Sequence, residues 1–179
     1  LMGDRWIVSD THFGHENTCV KFKLADGVTP LRPFANAQEM DEHMVYEWNK
    51  LVKPSDRVYH LGDVVINRRH LPTVGRCNGR KVLIKGNHDI FKLKDYLPYF
   101  DDIRSYHVSP YEGVIFSHIP IARESFERFG VNVHGHTHAN SLPDPHYICV
   151  CVEQTDFKPI HWDDLMVKVN VVLADLRNV

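Results

Sequence analysis

The sequence predicts an α/β fold in which polar functional side chains meet at one edge of a sheet. Short apolar segments alternate with helical patterns along the 179 residues. Five of these apolar segments lead directly into blocks of metal-binding side chains, which are Asp10-Thr11-His12, Gly62-Asp63, Gly86-Asn87-His88-Asp89, Ser117-His118 and Gly135-His136-Thr137-His138. Because alternating strands and helices build sheets whose carboxyl ends form the functional edge, we expect the blocks to lie close together.

Six segments are predicted to be strands. Five of them are short apolar runs typical of buried strands. These are Arg5–Ser9, Arg57–His60, Lys81–Lys85, Val114–Phe116 and Val131–Val133. The sixth, Tyr147–Val152, is predicted from its β-branched and aromatic residues, and strand alternation would place Cys149 and Cys151 on one face.

The clearest predicted helix covers Ala37–Val52, where apolar residues recur at helical spacing. Asn36 is placed to cap its first turn, and Glu39, three residues later, completes a capping box. Three further helices are predicted, over Arg69–Cys77, Ala122–Phe129 and Asp164–Arg177. The last of them has the valine content of a strand, so a strand is the alternative there. The turn-rich segment Cys19–Pro33 is expected to be an ordered loop near the site.

Length and composition favour one globular domain over residues 1–179. Hydrophobic residues make up 43% of the chain. The formal net charge of −2 does not favour a strongly basic nucleic-acid groove, although it does not exclude a local basic patch. The four cysteines form no CxxC pair and are interpreted as reduced thiols of a cytoplasmic protein. No apolar run reaches the roughly 18 residues of a membrane span. Leu1 is interpreted as an addition ahead of a native Met2.

The five blocks offer more metal ligands than one ion needs. They contain two carboxylates, one amide oxygen and four imidazoles, from Asp10, Asp63, Asn87, His12, His118, His136 and His138. A single zinc ion takes three or four ligands, whereas two ions that share a bridging carboxylate take about this many and leave positions for water and substrate. The set contains no thiolate, which argues against a structural zinc site.

In their order, the blocks resemble the motif of the calcineurin-like metallophosphoesterase superfamily: Asp-x-His, Gly-Asp, Gly-Asn-His-Asp/Glu, His and Gly-His-x-His. All five parts are present without substitution, and the segments Ser9–His15 and Val58–Asp63 look most like the small single-domain bacterial and phage members. The resemblance implies a four-layer αββα sandwich of two mixed sheets flanked by helices. It also implies that the metal site lies at the carboxyl ends of the strands.

The resemblance further implies a role for each ligand. One ion would be held by Asp10, His12, Asp63 and His138, and the other by Asp63, Asn87, His118 and His136, with Asp63 as the bridge. His88 is expected to stabilise phosphoryl oxygens and to protonate the departing oxygen, with Asp89 fixing its tautomer. Manganese is the preferred metal, with iron, nickel, cobalt or zinc as alternatives, because imidazole-rich sites disfavour magnesium.

Several polar residues just beyond the blocks are weaker candidates for holding the substrate. They are His15, Asn17, Arg68, Arg69 and Arg123, and ordinary surface charge is the competing interpretation of each. His60 and His134 precede their blocks within strands. We therefore expect these two histidines to be buried and hydrogen-bonded rather than to bind metal.

The predicted function is hydrolysis of phosphomonoesters or phosphodiesters by a hydroxide that bridges two metal ions. The alternative is a nuclease or cyclic-nucleotide phosphodiesterase of the same fold, with a nucleotide or short nucleic acid as partner. A non-enzymatic scaffold is disfavoured because the motif is complete. No membrane partner is expected, and formation of a homo-oligomer is left open.

Overall fold

The computed structural model describes residues 3–126 and 128–177, so the interpretation of Leu1 and Met2 lies outside the described residues. The first of its two sheets contains β1 (Arg5–Val8), β2 (Arg57–His60), β3 (Arg80–Ile84), β4 (Asp102–Arg104) and β9 (Ile160–His161). The strand order is β4-β3-β2-β1-β9. Strands β1 to β4 are parallel, and β9 pairs with β1 in the antiparallel direction.

The second sheet contains β5 (His107–Ser109), β6 (Val114–Ser117), β7 (Val131–His134) and β8 (Tyr147–Cys149), in that order. Strand β5 is antiparallel to β6, and β6, β7 and β8 are parallel. The prediction of a mixed α/β protein is therefore confirmed, with two mixed sheets. Strands β4, β5 and β9 were not predicted, because they have only two or three residues each and contain no apolar run.

One apolar cluster joins the two sheets. Alternate residues of the first sheet, such as Ile7 and Tyr59, share this cluster with Phe116 and Val133 of the second sheet. A second cluster lies on the other face of the first sheet, where residues such as Leu83 pack with apolar side chains of a long helix. The first sheet is therefore buried on both faces, as expected for parallel strands flanked by other layers.

Among the described residues, five α-helices accompany the sheets: α1 (Asn17–Val20), α2 (Ala37–Leu51), α3 (Leu71–Gly75), α4 (Leu93–Tyr96) and α5 (Trp162–Arg177). The long predicted helix is confirmed as α2. The side chain of Asn36 accepts a hydrogen bond from the Glu39 amide at 2.9 Å. The carboxylate of Glu39 reaches back to the amide of Ala35 at 3.0 Å, one residue before the cap. The first arm of the expected capping box is therefore present, and the second is displaced from the amide of Asn36 to that of Ala35.

The final segment is the helix α5, and the alternative strand is excluded. A strand would place Val167, Val169 and Val171 on one face. Instead Val169 is buried together with Leu165, four positions earlier, while Val167 and Val171 are 63% and 60% exposed. This spacing is that of one helical face.

Three predicted elements differ in extent. The helix expected over Ala122–Phe129 is wrong for the described residues, since a 3₁₀ turn at Arg123–Ser125 replaces it and amides bond three residues back. The helix expected over Arg69–Cys77 becomes a 3₁₀ turn followed by α3. The strand expected over Tyr147–Val152 ends at Cys149, because the chain then crosses to the first sheet, where Cys151 pairs with Ser9.

The sheets bring the five polar blocks to the carboxyl ends of strands. The blocks that begin at Asp10, Gly62 and Gly86 follow β1, β2 and β3, and those with His118 and His136 follow β6 and β7. The four cysteines are free thiols. Among the described residues, no helix is both long enough and apolar enough to span a bilayer.

Candidate metal centre

Most of the predicted ligands lie in the left-handed backbone region, which non-glycine residues rarely adopt. Five of the seven have φ angles between 45° and 72°, namely Asp10, His12, Asp63, His136 and His138. Each such residue costs on the order of 1 kcal/mol. Only two further non-glycine residues of the described chain, Asp156 and Phe157, have positive φ values. Backbone strain is therefore concentrated in the loops that carry the ligands.

The glycines of the blocks allow these loops to pack against one another. Gly62 has a φ of 100°, and a Cβ atom at this position would lie 2.5 Å from the amide nitrogen of Gly86. A Cβ atom on Gly86 would overlap the carboxylate of Asp63, and one on Gly135 would overlap that of Asp10. Each of these glycines therefore leaves space for a predicted ligand or its loop.

One group of ligand atoms comes from Asp10, His12 and His138. Nε2 of His12 lies 3.7 Å from Oδ1 of Asp10, and Nε2 of His138 lies 3.8 Å from the same oxygen. Oδ2 of Asp63 adjoins the group, 3.6 Å from Nε2 of His12. Ligand atoms around one ion are themselves about 3.0–3.4 Å apart, so a small inward movement of these side chains would enclose a cation.

A second group comes from Asp63, His118 and His136, with Asn87 beside them. Oδ2 of Asp63 lies 3.3 Å from Nε2 of His118. Oδ1 of Asn87 lies 3.0 Å from Nε2 of His118 and 3.0 Å from Nδ1 of His136. The same Asp63 oxygen therefore faces both groups, and all seven predicted ligands lie in two adjoining clusters.

The two oxygens of Asp10 have different surroundings. Oδ2 accepts hydrogen bonds from the Ser9 hydroxyl, the His136 amide and the Cys151 thiol, at 2.5, 3.0 and 3.2 Å. Oδ1 is buried and has no hydrogen-bond partner in the described residues, and the same is true of Nε2 of His12. Buried polar atoms are normally satisfied, so two such atoms that face each other are suited to binding a cation between them.

The electrostatics of the centre also favour positive charge. Burial opposes ionisation of Asp10, but His12, His118 and His138 outweigh it and hold the pKa of the carboxyl group well below its usual range. Burial lowers the pKa of His118, yet Asp63 and Asp10 more than offset this effect and raise it to about 9. The two carboxylates therefore draw a positive charge into the space between them.

An ion pair behind the ligands was not predicted from the sequence. Glu153 accepts a hydrogen bond from Nδ1 of His138 at 2.8 Å and one from Nε of Arg32 at 2.9 Å. Arg32 also donates to the backbone carbonyls of Asp10 and Thr11, at 2.5 and 2.6 Å. The side chains of Arg32 and Glu153 are 0% and 2% exposed. The pair therefore orients His138 and fixes the backbone of the first block.

The role of Asp89 differs from the expected one. Its carboxylate accepts hydrogen bonds from the backbone amides of Asp63, Val64 and Gly86, at 2.7, 3.1 and 2.7 Å. Both oxygens are thus committed to backbone groups. The expectation that Asp89 fixes the tautomer of His88 is replaced by a structural role, in which Asp89 ties the second block to the third.

His88 lies on the open side of the centre. Its backbone amide donates to Oδ1 of Asp63 at 2.9 Å, which fixes the backbone of His88 beside this carboxylate. Its exposed ring lies 5.8 Å from the ring of His12, centroid to centroid. The side chain is therefore close to the ligands but accessible from solvent.

The two strand histidines are buried as expected. Nδ1 of His60 accepts a hydrogen bond from the Gly62 amide at 3.1 Å, so Nε2 carries the proton and faces the Thr11 hydroxyl at 2.9 Å. Burial lowers the pKa of His60 to about 3, which keeps the ring neutral. Nδ1 of His134 lies 2.7 Å from the carbonyl oxygen of Gly135. His60 therefore links the first and second ligand loops.

Of the predicted substrate contacts, His15 lies beside the ligands. Its ring centroid is 5.6 Å from that of His12, and its buried Nδ1 has no hydrogen-bond partner in the described part of the chain. Burial, together with the nearby charges of His12 and Arg32, lowers the pKa of His15 to about 4. Asn17 is the first residue of α1, two positions further along.

The three predicted arginine contacts have other partners. Arg68 lies 3.7 Å from a carboxylate oxygen of Asp95, and Arg69 lies 3.2 Å from Nε2 of the adjacent His70. Arg123 lies 3.3 Å from Asp144. It also borders a cavity of about 460 Å³ that contains none of the seven ligands. The structure therefore gives Arg123 no place beside the ligand groups.

A cavity of about 510 Å³ opens next to His136 and His138. The cavity is also lined by Lys23, Leu24, Ala25 and Leu31 of the segment 22–31, which folds back on itself. The amide of Leu24 donates to the carbonyl of Thr29, and the amide of Leu31 donates to that of Phe22, both at 2.8 Å. The expected ordered loop near the site is therefore present, but it begins after Cys19 and Val20, which belong to α1.

Comparison with known proteins places the chain among uncharacterized relatives, and no family model matches it. It is 33% identical over 177 residues to the uncharacterized protein MJ1445 of Methanocaldococcus jannaschii, covering 92% of this chain and 89% of that protein. The chain belongs to the family of this archaeal protein. The region aligned with this protein covers most of the length over which the five blocks are distributed.

Two further similarities extend this result. Over 93 residues the chain is 32% identical to the Gene 66 protein of Mycobacterium phage L5, which covers 49% of this chain and 41% of the phage protein. The crystal structure of the protein of unknown function AQ665 from Aquifex aeolicus is similar in fold, with a TM-score of 0.66 and 27% identity, over 90% of this chain and 97% of that chain. None of these names states a chemistry.

Proposed function

We propose that the chain is a dinuclear metal-dependent phosphoric ester hydrolase of the calcineurin-like metallophosphoesterase superfamily. The observation that carries this proposal is the position of Oδ2 of Asp63, 3.6 Å from Nε2 of His12 and 3.3 Å from Nε2 of His118. A carboxylate oxygen between two groups of imidazole ligands has the position of a bridge between two cations. The two mixed sheets and their helices support the finer proposal of a four-layer αββα sandwich with the metals at its strand ends.

The donor set fits two divalent ions. Asp10, His12 and His138 would hold one ion, Asn87, His118 and His136 would hold the other, and Asp63 would contact both. Imidazole and carboxylate donors suit manganese, with iron, nickel, cobalt or zinc as alternatives. When bound, two such ions lower the pKa of water and neutralise charge on phosphoryl oxygens. The ligand set contributes only two negative charges, from Asp10 and Asp63, so the loaded site keeps a positive surplus that attracts a phosphate group.

His88 is the proposed catalytic residue of the chain. It is exposed beside the bridging Asp63, so its ring can reach an oxygen of a bound phosphate ester without binding metal itself. A protonated imidazole there would stabilise the phosphoryl oxygens and then give its proton to the departing alkoxide. Asp89 contributes by holding the loop that presents His88, not by contacting the ring.

A phosphodiesterase acting on a nucleotide or a short nucleic acid is the second candidate. The cavity of about 510 Å³ beside His136 and His138 favours it, because the organic part of an ester has room to lie there. Loop residues such as Thr137 and Asn140 line this cavity and present polar groups to such a ligand. A phosphomonoesterase would need less of this space.

The test is a paired hydrolysis assay with an aryl phosphate monoester and an aryl phosphate diester. We expect chelation to abolish activity and manganese to restore it more effectively than magnesium. Faster turnover of the diester would favour the second candidate. Asp63→Asn should abolish this activity. Asp163→Asn serves as its matched control, because the Asp163 side chain is 85% exposed and belongs to neither ligand group. Activity that survives chelation, or that only magnesium restores, would contradict the proposal.

A further inference from the structure

Three arginines form a row at the edge of the first sheet opposite the ligand loops. Arg5, Arg57 and Arg80 are the first residues of β1, β2 and β3. The strands pair so that Arg5 lies beside Arg57, and Arg57 lies beside Arg80. Neighbouring strands are about 4.8 Å apart, and paired residues point to the same face. Like charges so close to one another are unfavourable, so the row calls for a compensating anion.

The three side chains border a common pocket. It has a volume of about 400 Å³ and is lined by Gly3, Arg5, Ser55, Arg57, Tyr59 and Arg80. The guanidinium carbon of Arg5 lies 3.9 Å from the centroid of the Trp162 ring. Because Trp162 is only 2% exposed, this stacking holds Arg5 in a fixed plane. A guanidinium group fixed in this way loses little further side-chain entropy when its N–H groups bind a ligand.

The nearby acidic side chains leave most of the positive charge of the three arginines uncompensated. Glu112 approaches Arg5 only to 3.9 Å, beyond hydrogen-bonding distance. Asp102 is held by Arg104 at 2.6 Å. Within residues 3–126 and 128–177, Arg57 and Arg80 form no ion pair.

Two further groups show how the charge is distributed around the pocket. The carboxylate of Asp56 already accepts hydrogen bonds from the Trp6 indole and from the amides of Asp4 and Lys53. The ring of His107 stacks on Tyr59 at 4.8 Å between centroids. Burial lowers the pKa of this histidine, and neighbouring guanidinium groups, including that of Arg5, lower it further. The positive potential of the row therefore extends along the sheet.

We propose that this pocket binds a compact anion with two or more negative charges, namely a phosphate or diphosphate group of a small molecule. Arginine forks match phosphate oxygens in bidentate pairs, and charge-assisted hydrogen bonds are the strongest of their kind. The hydroxyl group of Ser55 adds a neutral donor to the lining. The pocket lies at the amino ends of the strands, so its occupancy does not depend on the proposed hydrolase function.

The test is a titration of the full chain, loaded with diamagnetic zinc, with inorganic pyrophosphate, and amide chemical shifts in NMR spectra are followed. We expect saturable shifts at Ser55, Arg57 and Arg80, with a dissociation constant below about 1 mM. The same shifts should appear in a chelator-treated sample, because the pocket is remote from the ligand loops. Changes confined to the loops of the metal centre, or no saturation up to about 10 mM, would overturn the proposal.

Variants separate the pocket from nonspecific charge. Arg57→Gln should weaken pyrophosphate binding about tenfold, since it removes one bidentate pair. Lys168→Gln removes the same charge from an exposed position on α5 and should leave the affinity unchanged. If Arg57→Gln fails to fold, the exposed Arg80→Gln provides the same comparison. Equal affinity of the arginine variant and the wild type would refute the assignment, and tighter binding of a nucleoside diphosphate than of pyrophosphate would support it and extend it to nucleotides.

Discussion

We expect Glu153→Gln to destabilise the fold and to weaken metal binding in one ligand group more than in the other. Oε1 of Glu153 accepts three hydrogen bonds, one from His138 and two from Arg32, at 2.8, 2.9 and 2.8 Å. Burial raises the pKa of this carboxyl group, but Arg32 and His138 outweigh burial and hold the pKa below its usual value, so the group is ionised at neutral pH. Glutamine keeps the shape and the acceptor oxygen but removes the charge. Arg32 is then left charged and fully buried.

The expected loss follows from these three bonds. A hydrogen bond to a charged group contributes about 1.5–3 kcal/mol and a neutral one about 0.5–1.5, so each bond loses about 1 kcal/mol. The total of about 3 kcal/mol agrees with the cost of breaking a buried ion pair. For a chain of this length, it corresponds to a fall in melting temperature of about 6–12 °C. Loss of the charge behind His138 should weaken the binding of a metal ion by the group that contains His138 about 10–100-fold.

Denaturant unfolding and metal-binding calorimetry would measure both effects. The matched control is Glu42→Gln, because Glu42 forms an exposed bidentate pair with Arg76 at 2.7 and 2.8 Å. Exposed pairs contribute about 0.2–1 kcal/mol, and this pair lies outside both ligand groups, so the control should bind metal like the wild type. The reasoning is refuted if Glu153→Gln is no less stable than Glu42→Gln, or if both metal sites weaken equally.

Three other changes give distinct outcomes. Asp63→Asn should lose both ions and activity together, because one carboxylate oxygen faces both groups; elemental analysis that finds two ions bound would contradict this. His88→Ala should keep both ions while turnover of an unactivated phosphodiester falls about 10²–10⁴-fold, and unchanged turnover would remove His88 from the mechanism. Burial raises the pKa of Asp41 from 3.8 to about 6, so folding favours its protonated form and stability should fall as pH rises through this range. The slope is at most about 1.4 kcal/mol per pH unit and is reduced by solvent screening. Asp41→Asn should remove this decline in unfolding curves measured at several pH values, and identical pH profiles would contradict the assignment.

Much of the fold was predictable because the relevant signals are local. The cap at Asn36 and the apolar spacing that follows it lie within one segment, and both appear in α2. The predicted helix over Ala122–Phe129 failed, because its local pattern was weak and the described residues form only a 3₁₀ turn at Arg123–Ser125. Strands as short as β9 have no pattern of their own and form because β1 offers them an edge.

The ligand side chains could also be named in advance, because each block follows a strand end and contains donors of a characteristic type. The backbone strain of these residues and the pairing of their ligand atoms could not be predicted from the sequence, since both depend on how loops from two sheets meet. Asp89 shows the same limit. Its neighbour in sequence is His88, but its carboxylate turns to the amides of Asp63 and Val64, which are distant in the chain and close in space.

Local patterns were therefore sufficient for the α/β class, the main strands, the long helix and the identities of the candidate ligands. The contact between Arg32 and Glu153, 121 positions apart, became visible only in the folded chain. The row of arginines at the first positions of β1, β2 and β3 also became visible only in the folded chain. Such contacts depend on strand order, register and burial, and these are set by the packing of the whole chain, not by any segment of it.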